Sequence, residues 1–486
     1  MEYAGMVNPG CLCYLNSAMQ QLFMIPSFRE SILSLPLSPN VNIKSSSFLS
    51  ALQNLFRGLE SARAENLRSL EQLEDMITFS SLKNIKQVEA INPLPLSCLI
   101  WDPLGESEEG KDSGEQGNYL DPDEQMDVSE FLSCFLSQLS SSLQSCHPLL
   151  QIGRSICGEI NNEMRANNED GIRGLDSSSR IRTNEQFFFL SVKVGNVRTS
   201  ATSLSASCLP CKHIGNLHDA LDDFTGYEAV NAMWSRGVGD CRERVLLPST
   251  NTCTLSAASL PPHLFFHLKR FRFDRSKMRQ VKVSSRFEFP FEDKKSSCLD
   301  LWRHTTEGRR EQEEDLEWER NMREGNNSLD HDAETCDISA KGCCKYVLSG
   351  VIVHAGTALD GHYFSLIRER QGQHEKSDRS MSGSVQPSRW LKMDDEEVIE
   401  FNLADMDREA FGGPEETWDD DEEVSPDRKR KKRQSAFMLI YDKVWGAMRL
   451  LSPHRRVSGM EYAGSIVLPS SSSFSLDKPM SEKRSS

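Results

Sequence analysis

The chain has 486 residues, of which 38% are hydrophobic and 26% charged, and its formal net charge is -16. This length allows two or three average domains, or one large domain with insertions. The negative charge argues against nucleic-acid binding, which needs a basic surface, and suits a partner that carries basic residues. No apolar run is long enough to cross a membrane, and the N-terminus lacks a signal pattern. Fourteen cysteines without such a signal indicate free thiols in a reducing, cytoplasmic setting.

The first predicted element is a helix that begins at a cysteine. Residues 5–22 read GMVNPGCLCYLNSAMQQL, so a turn that contains glycine and proline leads to Cys13. Apolar residues then recur at helical spacing as far as Pro26, namely Leu15, Met19, Leu22 and Phe23. A thiol at a helix N-terminus faces unpaired N–H groups, which favours its ionised, nucleophilic form. A lone cysteine is more often a small apolar side chain packed at a helix start, so other residues must decide its role.

More helices and loops are predicted in the first part of the chain. Residues 48–59 and 127–143 each keep one apolar face at helical spacing, which predicts two amphipathic helices. The acidic, glycine-rich segment 105–117 and the polar segment 160–182 predict loops. We therefore expect the N-terminal part to be mainly helical.

The later part of the chain is predicted to be rich in strands. Short apolar or alternating runs indicate them at Phe187–Val197, Leu264–Phe273, Tyr346–Val353, His362–Ile367 and Ala436–Tyr441. A charged segment at 303–341, for which helix and disorder both stay open, interrupts these runs. Helices followed by strands indicate an α+β fold with a helical lobe and an antiparallel β lobe. A groove between two such lobes is a usual place for a site.

A cysteine nucleophile needs a base that accepts its proton and a third group that orients this base. His362 is the strongest candidate, because it lies at the mouth of a predicted hairpin and Gly361 before it allows close approach. Asp394 or Asp395, which follow the predicted strand Trp390–Met393, could accept a hydrogen bond from the ring and fix its tautomer. An exposed turn histidine and a solvated acid pair are the alternatives.

Together these segments resemble the ubiquitin-specific proteases, papain-like cysteine hydrolases that cut after the C-terminal Gly-Gly of ubiquitin. Residues 5–17 look like the cysteine box of that family, and residues 346–365 look like its histidine box. Further landmarks follow in the family's order, with EQMDVSEFL at 124–132, LPPH at 260–263, LKRF at 268–271, FEFP at 287–290 and FGG at 411–413. The resemblance covers residues 3–445 and is closest to the very large members, whose box continues QQL-x-MIP as residues 20–26 do.

The resemblance implies a role for each candidate. Cys13 is the nucleophile, His362 the general base and Asp394 the third residue, with Asp395 assisting. Asn8 matches the side-chain donor to the oxyanion, a type of group worth about 3 kcal/mol where it has been removed. The implied activity is hydrolysis of the peptide or isopeptide bond after ubiquitin's terminal glycine, with no cofactor. A catalytically impaired ubiquitin-binding scaffold, and a protease for another ubiquitin-like modifier, stay open.

The same resemblance implies a binding site for the C-terminal tail of ubiquitin. Asp127 and Glu130 lie three residues apart, hence on one helix face, and match acids that hold the arginines of this tail. Gln125 matches a contact to the tail backbone, and Gly361 and Tyr363 are assigned to the same tail site. Solvated acids on an exposed helix face are the alternative for the two carboxylates.

The implied architecture is a hand that holds the globular part of ubiquitin. We expect a helical thumb at 1–150, β fingers at 151–258 and a β palm at 259–445. Charged insertions at 303–341 and 414–433 are expected within the palm, and a serine-rich, disordered tail at 446–486. Cys13 lies so near Met1 that we also expect the chain to be part of a longer protein, since the large relatives have extensive flanking regions.

The expected fingers depart from the family in their cysteines. Relatives commonly carry two CxxC pairs there, which bind zinc through four thiolates. Here only Cys157 and Cys241 occupy those two places, while Cys208 and Cys211 form a CxxC in an insertion between them. A zinc site rebuilt from Cys208, Cys211 and Cys241 is one alternative. We favour the other, in which zinc is lost and packing alone holds the fingers.

Two more features leave alternatives open. Cys11 lies two residues before Cys13, where relatives have a small or amide residue, and could be oxidised with it, although a disulfide at this spacing is strained. The basic run 428–433, RKRKKR, could be a nuclear localisation signal. We favour a solvated loop that balances the acidic run 419–423.

Overall fold

The computed structural model confirms a mixed α+β fold. It describes residues 2–35, 43–74, 90–100, 119–143, 155–167, 180–198, 211–236, 243–292, 298–323, 341–358, 360–370, 388–413 and 434–444. Helices dominate the first part, and antiparallel strands dominate the rest. The predicted loop at 105–117, the insertion at 414–433 and the serine-rich tail lie outside the described residues.

The helices of the described residues include the three that periodicity predicts. They are α1 (Cys13–Phe23), α2 (Pro26–Leu33), α3 (Ile43–Glu74), α4 (Leu94–Ser97), α5 (Val128–Leu143), α6 (Leu217–Phe224), α7 (Thr306–Arg323) and α8 (Met406–Ala410). Helix α7 shows that the first half of the charged segment 303–341 is helical, while residues 324–340 lie outside the described residues. Within the described residues, no helix is both long and apolar enough to cross a bilayer.

A large sheet forms the centre of the β part. Its strands run in the order β15-β14-β13-β12-β16-β8-β3, and a short strand β11 pairs with the start of β12. All neighbours are antiparallel except β3 and β8. The strands are β3 (Phe189–Lys193), β8 (His263–Lys269), β11 (Leu299–Asp300), β12 (Lys345–Gly356), β13 (Gly361–Arg368), β14 (Trp390–Asp394), β15 (Glu397–Phe401) and β16 (Gln434–Lys443).

Three smaller sheets surround it. A four-stranded sheet has the order β2-β1-β7-β6, and two hairpin-like pairs are β4-β5 and β9-β10. Their strands are β1 (Gly158–Ala166), β2 (Arg180–Phe187), β4 (Gly195–Arg198), β5 (Cys211–Ile214), β6 (Tyr227–Arg236), β7 (Glu243–Leu255), β9 (Phe271–Asp274) and β10 (Arg279–Lys282).

The prediction of a loop at 160–182 is wrong at both ends. Strand β1 covers most of its first part, and β2 begins at Arg180, while 168–179 lie outside the described residues. The sequence GEINNEMRA lacks the apolar alternation that marks a strand with one buried face. Strand β1 is nevertheless stable because it pairs with β2 on one side and β7 on the other, which satisfies its backbone.

The hydrophobic core lies on both faces of the large sheet. Alternate residues of a strand point to opposite faces, so Ile352 packs toward α1, α3 and α5 while Val351 packs toward α6 and α8. Side chains of this size stabilise the fold by about 1.5 to 3 kcal/mol each when fully buried. Helix α1 therefore sits between the helical part and the sheet, with all of its residues buried.

Candidate active site

Helix α1 brings Cys13 to the sheet as its first residue, and polar side chains fix how it docks. The Gln21 amide donates to the backbone oxygens of Val351 in β12 and Leu366 in β13, at 3.4 and 3.3 Å. The Ser365 hydroxyl donates to the Ser17 carbonyl at 2.9 Å. These bonds satisfy buried polar groups and tie the register of α1 to the β12–β13 hairpin. The position of Cys13 is thus set relative to the strand that carries His362.

Asn8 precedes α1, and both the oxygen and the nitrogen of its side-chain amide are hydrogen-bonded. Its Oδ1 accepts the Leu12 N–H at 2.9 Å, which satisfies a donor just before the first turn of the helix. Its Nδ2 donates to Asp395 Oδ2 at 2.8 Å. The Nδ2 group carries two hydrogens, so one more donor is left for another acceptor near Cys13.

His362 lies at the start of β13 and meets the carboxylate that ends β14. Its Nε2 is 2.5 Å from Asp394 Oδ1, and its Nδ1 is 4.0 Å from Asp395 Oδ2. The ring also hydrogen-bonds the Cys13 side chain. The structure therefore brings Cys13 together with His362 and Asp394, which follow it by 349 and 381 positions in the sequence.

The interactions of the His362 ring with Asp394 and Cys13 favour its protonated, charged form. The hydrogen bond to Asp394, followed by that to Cys13, raises the pKa of His362 to about 10 against the desolvation cost of partial burial. The pKa of Asp394 is lowered, because the bond and charge of His362 and the nearby Lys392 outweigh the effect of its burial. A protonated imidazole in contact with a cysteine is an arrangement that activates the sulfur as a nucleophile.

Asp395 is anchored to the residues before α1 and around its first turn. Its φ of 50° is in the left-handed region, and its carbonyl accepts the Met6 N–H at 2.8 Å. Asn16 Nδ2 donates to Asp395 Oδ1 at 2.8 Å, while Asn8 binds the other oxygen. A side chain at Gly5 would clash with the Asp395 and Glu396 carbonyls. Asn16 is not among the residues predicted from the sequence, where its only signal is an amide one turn after Cys13.

The residues predicted to bind a ubiquitin tail lie around the start of α5. Asp127 caps this helix, because its Oδ1 accepts both the N–H and the hydroxyl of Ser129 at 2.7 Å. Glu130 is in the first turn of α5. Tyr363 is fully buried, with its hydroxyl on the Val128 N–H. Both acids are thus placed at one helix end.

Gln125 bonds to the protein's own backbone. Its Nε2 donates to the Gly361 carbonyl at 2.8 Å, and its Oε1 accepts the Gly361 N–H at 3.3 Å. A side chain at Gly361 would clash with the buried His354 ring, so glycine is required where β13 begins. The predicted tail residues Gln125 and Gly361 therefore contact each other.

Two groups of side chains are of types that can bind a metal ion. Donor atoms of His362, Asp394 and Asp395 lie within 4.8 Å of one another, but the protein's own groups already bond all three. Among the cysteines considered for zinc, Cys208 and Cys241 lie outside the described residues, as does the side chain of Cys211. Cys157 is half-buried, and burial raises its pKa to about 11, which disfavours the thiolate that zinc binds.

Comparison with known proteins gives a consistent family. The sequence profile described as "Ubiquitin carboxyl-terminal hydrolase" matches residues 4–441. The chain is 26% identical over 458 residues to "Ubiquitin carboxyl-terminal hydrolase 9Y" of Homo sapiens, covering 91% of this chain and 16% of that protein. It is 26% identical over 457 residues to "Probable ubiquitin carboxyl-terminal hydrolase FAF" of Drosophila melanogaster, covering 90% and 14%. Against "Ubiquitin carboxyl-terminal hydrolase 34" of Homo sapiens the identity is 24% over 446 residues, covering 91% and 10%.

Proposed function

The chain belongs to the ubiquitin carboxyl-terminal hydrolase family, and on this premise we propose that it is a cysteine-type deubiquitinase. The family predicted from the sequence motifs is thereby confirmed. The proposed reaction is hydrolysis of the peptide or isopeptide bond after the C-terminal glycine of ubiquitin. The observation that carries the proposal is that the His362 ring contacts both Asp394 and the Cys13 side chain.

In the proposed acylation, the Cys13 thiolate attacks the carbonyl carbon of ubiquitin's last glycine. The carbonyl oxygen becomes an oxyanion, for which the second Nδ2 hydrogen of Asn8 is a donor. His362 then gives its proton to the leaving amine, the C–N bond breaks and a thioester remains. A raised pKa suits this step, because the ring is already protonated at neutral pH.

In the proposed deacylation, His362 acts as the base. Formation of the thioester removes the charge of Cys13, which is one of the causes that hold the pKa of His362 high. The neutral ring can then accept a proton from water as the water attacks the thioester. Asp394 keeps the ring in one orientation through both steps. Ubiquitin leaves with a free carboxylate, and Cys13 regains its thiolate.

The proposed substrate approaches along the helical side of the site. Asp127 and Glu130 are acidic groups at the start of α5, and a tail that carries arginines is the complementary partner. One oxygen of Asp127 is engaged in capping, which leaves Oδ2 for an arginine. We propose ubiquitin and ubiquitinated proteins as the partners, in a reducing compartment and without nucleic acid.

We propose the hand-like division for the whole chain. The helices at 1–150 are the thumb, the four-stranded sheet within 151–258 forms the fingers, and most of the large sheet at 259–445 is the palm. Strand β3 belongs to the finger region in sequence but joins the palm sheet through β8. Packing rather than zinc is proposed to hold the fingers, where Trp234 forms a small core with Ala166 and Leu247.

The proposed function is tested by release of a fluorescent amine from the C-terminus of ubiquitin. We expect the parent to release it, Cys13→Ser to release none, and Cys11→Ser to keep most of the activity as the matched control. The same amine on two other ubiquitin-like modifiers tests the choice of modifier. A folded parent that hydrolyses none of the three would support the scaffold alternative. Hydrolysis of another modifier alone would replace ubiquitin in the proposal.

A further inference from the structure

Gln125 lies at a point where strand β13 lacks its neighbour in the sheet. Strand β14 pairs with residues 365–368 of β13 and does not reach its first residues. There the Gln125 amide takes the place of a strand, because it both donates to and accepts from the Gly361 backbone. Among uncharged side chains, only a primary amide of this length offers a donor and an acceptor in this way.

A second bond joins the same two segments on the other side of the histidine. The hydroxyl of the buried Tyr363 meets the Val128 N–H, the first of helix α5. The residues before and after His362 are therefore both bonded to the short segment 125–128. This segment belongs to the helical part of the protein, whereas β12 holds the other edge of β13 within the sheet.

From this geometry we propose that Gln125 is a positioning residue for the Cys13–His362 pair, in place of the tail contact implied by family resemblance. The amide fixes the backbone at Gly361, and thereby the distance between the His362 ring and Cys13. A displacement of about 1 Å at such a pair costs up to about a hundredfold in rate. The proposal deepens the proposed function, since it takes these two side chains as the reactive pair.

The charged and titratable groups around His362 are few and can be named. Asp394 faces the ring from the last position of β14, Asp395 faces it from the turn that follows, and Cys13 faces it from α1. His354 of β12 lies beneath Gly361, and burial lowers its pKa to about 3, so it stays neutral. Replacement of Gln125 by an uncharged residue alters none of these groups directly. A change in the rate at which Cys13 is alkylated would therefore report a change in geometry.

The test is alkylation of Cys13 by iodoacetamide in the full chain without ubiquitin, followed by mass spectrometry of the Cys13 peptide. His362 carries its proton at about pH 6, and this positive charge beside Cys13 should speed alkylation of the parent at that pH. In Gln125→Met, which keeps the volume but loses both bonds, the rate at about pH 6 should fall about tenfold relative to its own rate at about pH 9. Gln138→Met is the matched control, since Gln138 in α5 donates to the Leu99 carbonyl at 2.8 Å, away from the site.

Gln125→Asn guards against a variant that fails to fold. It keeps the primary amide on a side chain one methylene shorter, adds no charge beside His362, and should give an intermediate profile. An unchanged pH profile in both variants, with a raised KM for ubiquitin, would overturn the proposal in favour of a tail contact. If the parent is alkylated rapidly at about pH 6 but hydrolyses no ubiquitin, the positioning role stands and the proposed function is refuted. An ordinary thiol profile in the parent would overturn the positioning role.

Discussion

At the scale of single residues, the chemistry at Cys13 depends on which hydrogen bonds the neighbouring polar side chains make with one another. Asp394 binds the His362 ring, whereas Asp395 binds the amides of Asn8 and Asn16. The two adjacent acids thus serve different partners. One orients the proposed base, and the other orients the proposed oxyanion donor.

We predict that Asp394→Asn lowers kcat/KM for ubiquitin hydrolysis about a hundredfold or more, because His362 loses its orienting carboxylate. The same change should lower the pKa of His362 from about 10 toward its ordinary value, since this hydrogen bond is the largest cause of the shift. The first effect is measured by steady-state kinetics and the second by NMR titration of the His362 ring. Glu397→Gln, on the neighbouring strand, is the control and should change neither.

The sign of the linked effect on stability follows from the raised pKa. A histidine whose folded pKa exceeds the unfolded value of about 6.5 contributes stability that is complete below that value and is lost as pH rises to about 10. Asp394→Asn should therefore reduce the fall in stability between about pH 6.5 and pH 10. An equal fall in parent and variant would contradict the assigned cause.

We predict that Asn8→Ala lowers kcat about a hundredfold to a thousandfold while KM stays nearly unchanged, because an oxyanion donor acts in the transition state. It should also cost about 1 kcal/mol of stability, since Oδ1 accepts the Leu12 N–H before helix α1. Kinetics and urea unfolding measure the two effects separately. A variant with raised KM and normal kcat would instead place Asn8 in ground-state binding.

The sequence identifies these residues, but it does not predict how they are arranged around Cys13. Cys13, His362 and Asp394 could be chosen because their segments match a family pattern. The partners of Asp395 could not, since they depend on a left-handed turn packed against Gly5, which has no periodic signal. Gln125 illustrates the same limit, because its bond to Gly361 joins residues 236 positions apart.

At the scale of elements, periodicity predicted the buried helices well and the polar strands poorly. Helix α5 was recognised because six apolar residues share one face, and the structure begins it one residue later than expected. The sequence does not predict strands β1 and β2, since their mostly polar side chains show no apolar alternation. Their stability comes from pairing with neighbouring strands, which a local pattern does not reveal.

We predict that the fingers depend on the small core around Trp234. This side chain is 4% exposed, and its Nε1 donates to Ser249 Oγ at 2.8 Å. Trp234→Ala should cost about 3 to 5 kcal/mol of local stability and raise KM for ubiquitin. Hydrogen exchange of β6 and β7 measures the loss. Met233→Ala is the matched control, because Met233 is on the opposite face of the same strand and 57% exposed.

Hydrogen exchange of β6 and β7 also tests the proposal that zinc does not hold the fingers. A metal chelator should leave the exchange of β6 and β7 and the hydrolysis of ubiquitin unchanged in the parent. Loss of either on chelation, restored by zinc, would favour a site built from Cys208, Cys211 and Cys241.

At the scale of the whole molecule, one buried ion pair joins the helical part to the sheet. Arg370 donates to both carboxylate oxygens of Asp442 in β16 at 2.8 and 3.1 Å, and to the Met24 carbonyl at 3.0 Å. His263 binds the same carboxylate at 2.7 Å. Arg370 is only 8% exposed, and its removal would leave the buried Asp442 charge with His263 at 2.7 Å and Arg368 at 3.7 Å as its remaining partners.

We predict that Arg370→Met lowers the free energy of unfolding by about 3 to 5 kcal/mol at neutral pH. The pKa of Asp442 is strongly lowered in the folded protein despite burial, chiefly by Arg370. The ionised Asp442 therefore stabilises the fold fully above about pH 4, and this contribution is lost as the pH falls further. The loss of unfolding free energy caused by Arg370→Met should consequently become smaller below about pH 4. Urea unfolding measures this, with the 80% exposed Arg323→Met as a control expected to change by less than about 1 kcal/mol. A deficit that stays constant down to about pH 2 would contradict the assignment.

The most direct measurement is covalent labelling by ubiquitin that carries a thiol-reactive group in place of its C-terminal carboxylate. It requires recognition of ubiquitin and a reactive thiol in one event. We predict that the parent gains the mass of one ubiquitin, that Cys11→Ala does the same, and that Cys13→Ala gains none. A folded parent that fails to react, or labelling that persists in Cys13→Ala, would contradict the proposed deubiquitinase with Cys13 as its nucleophile.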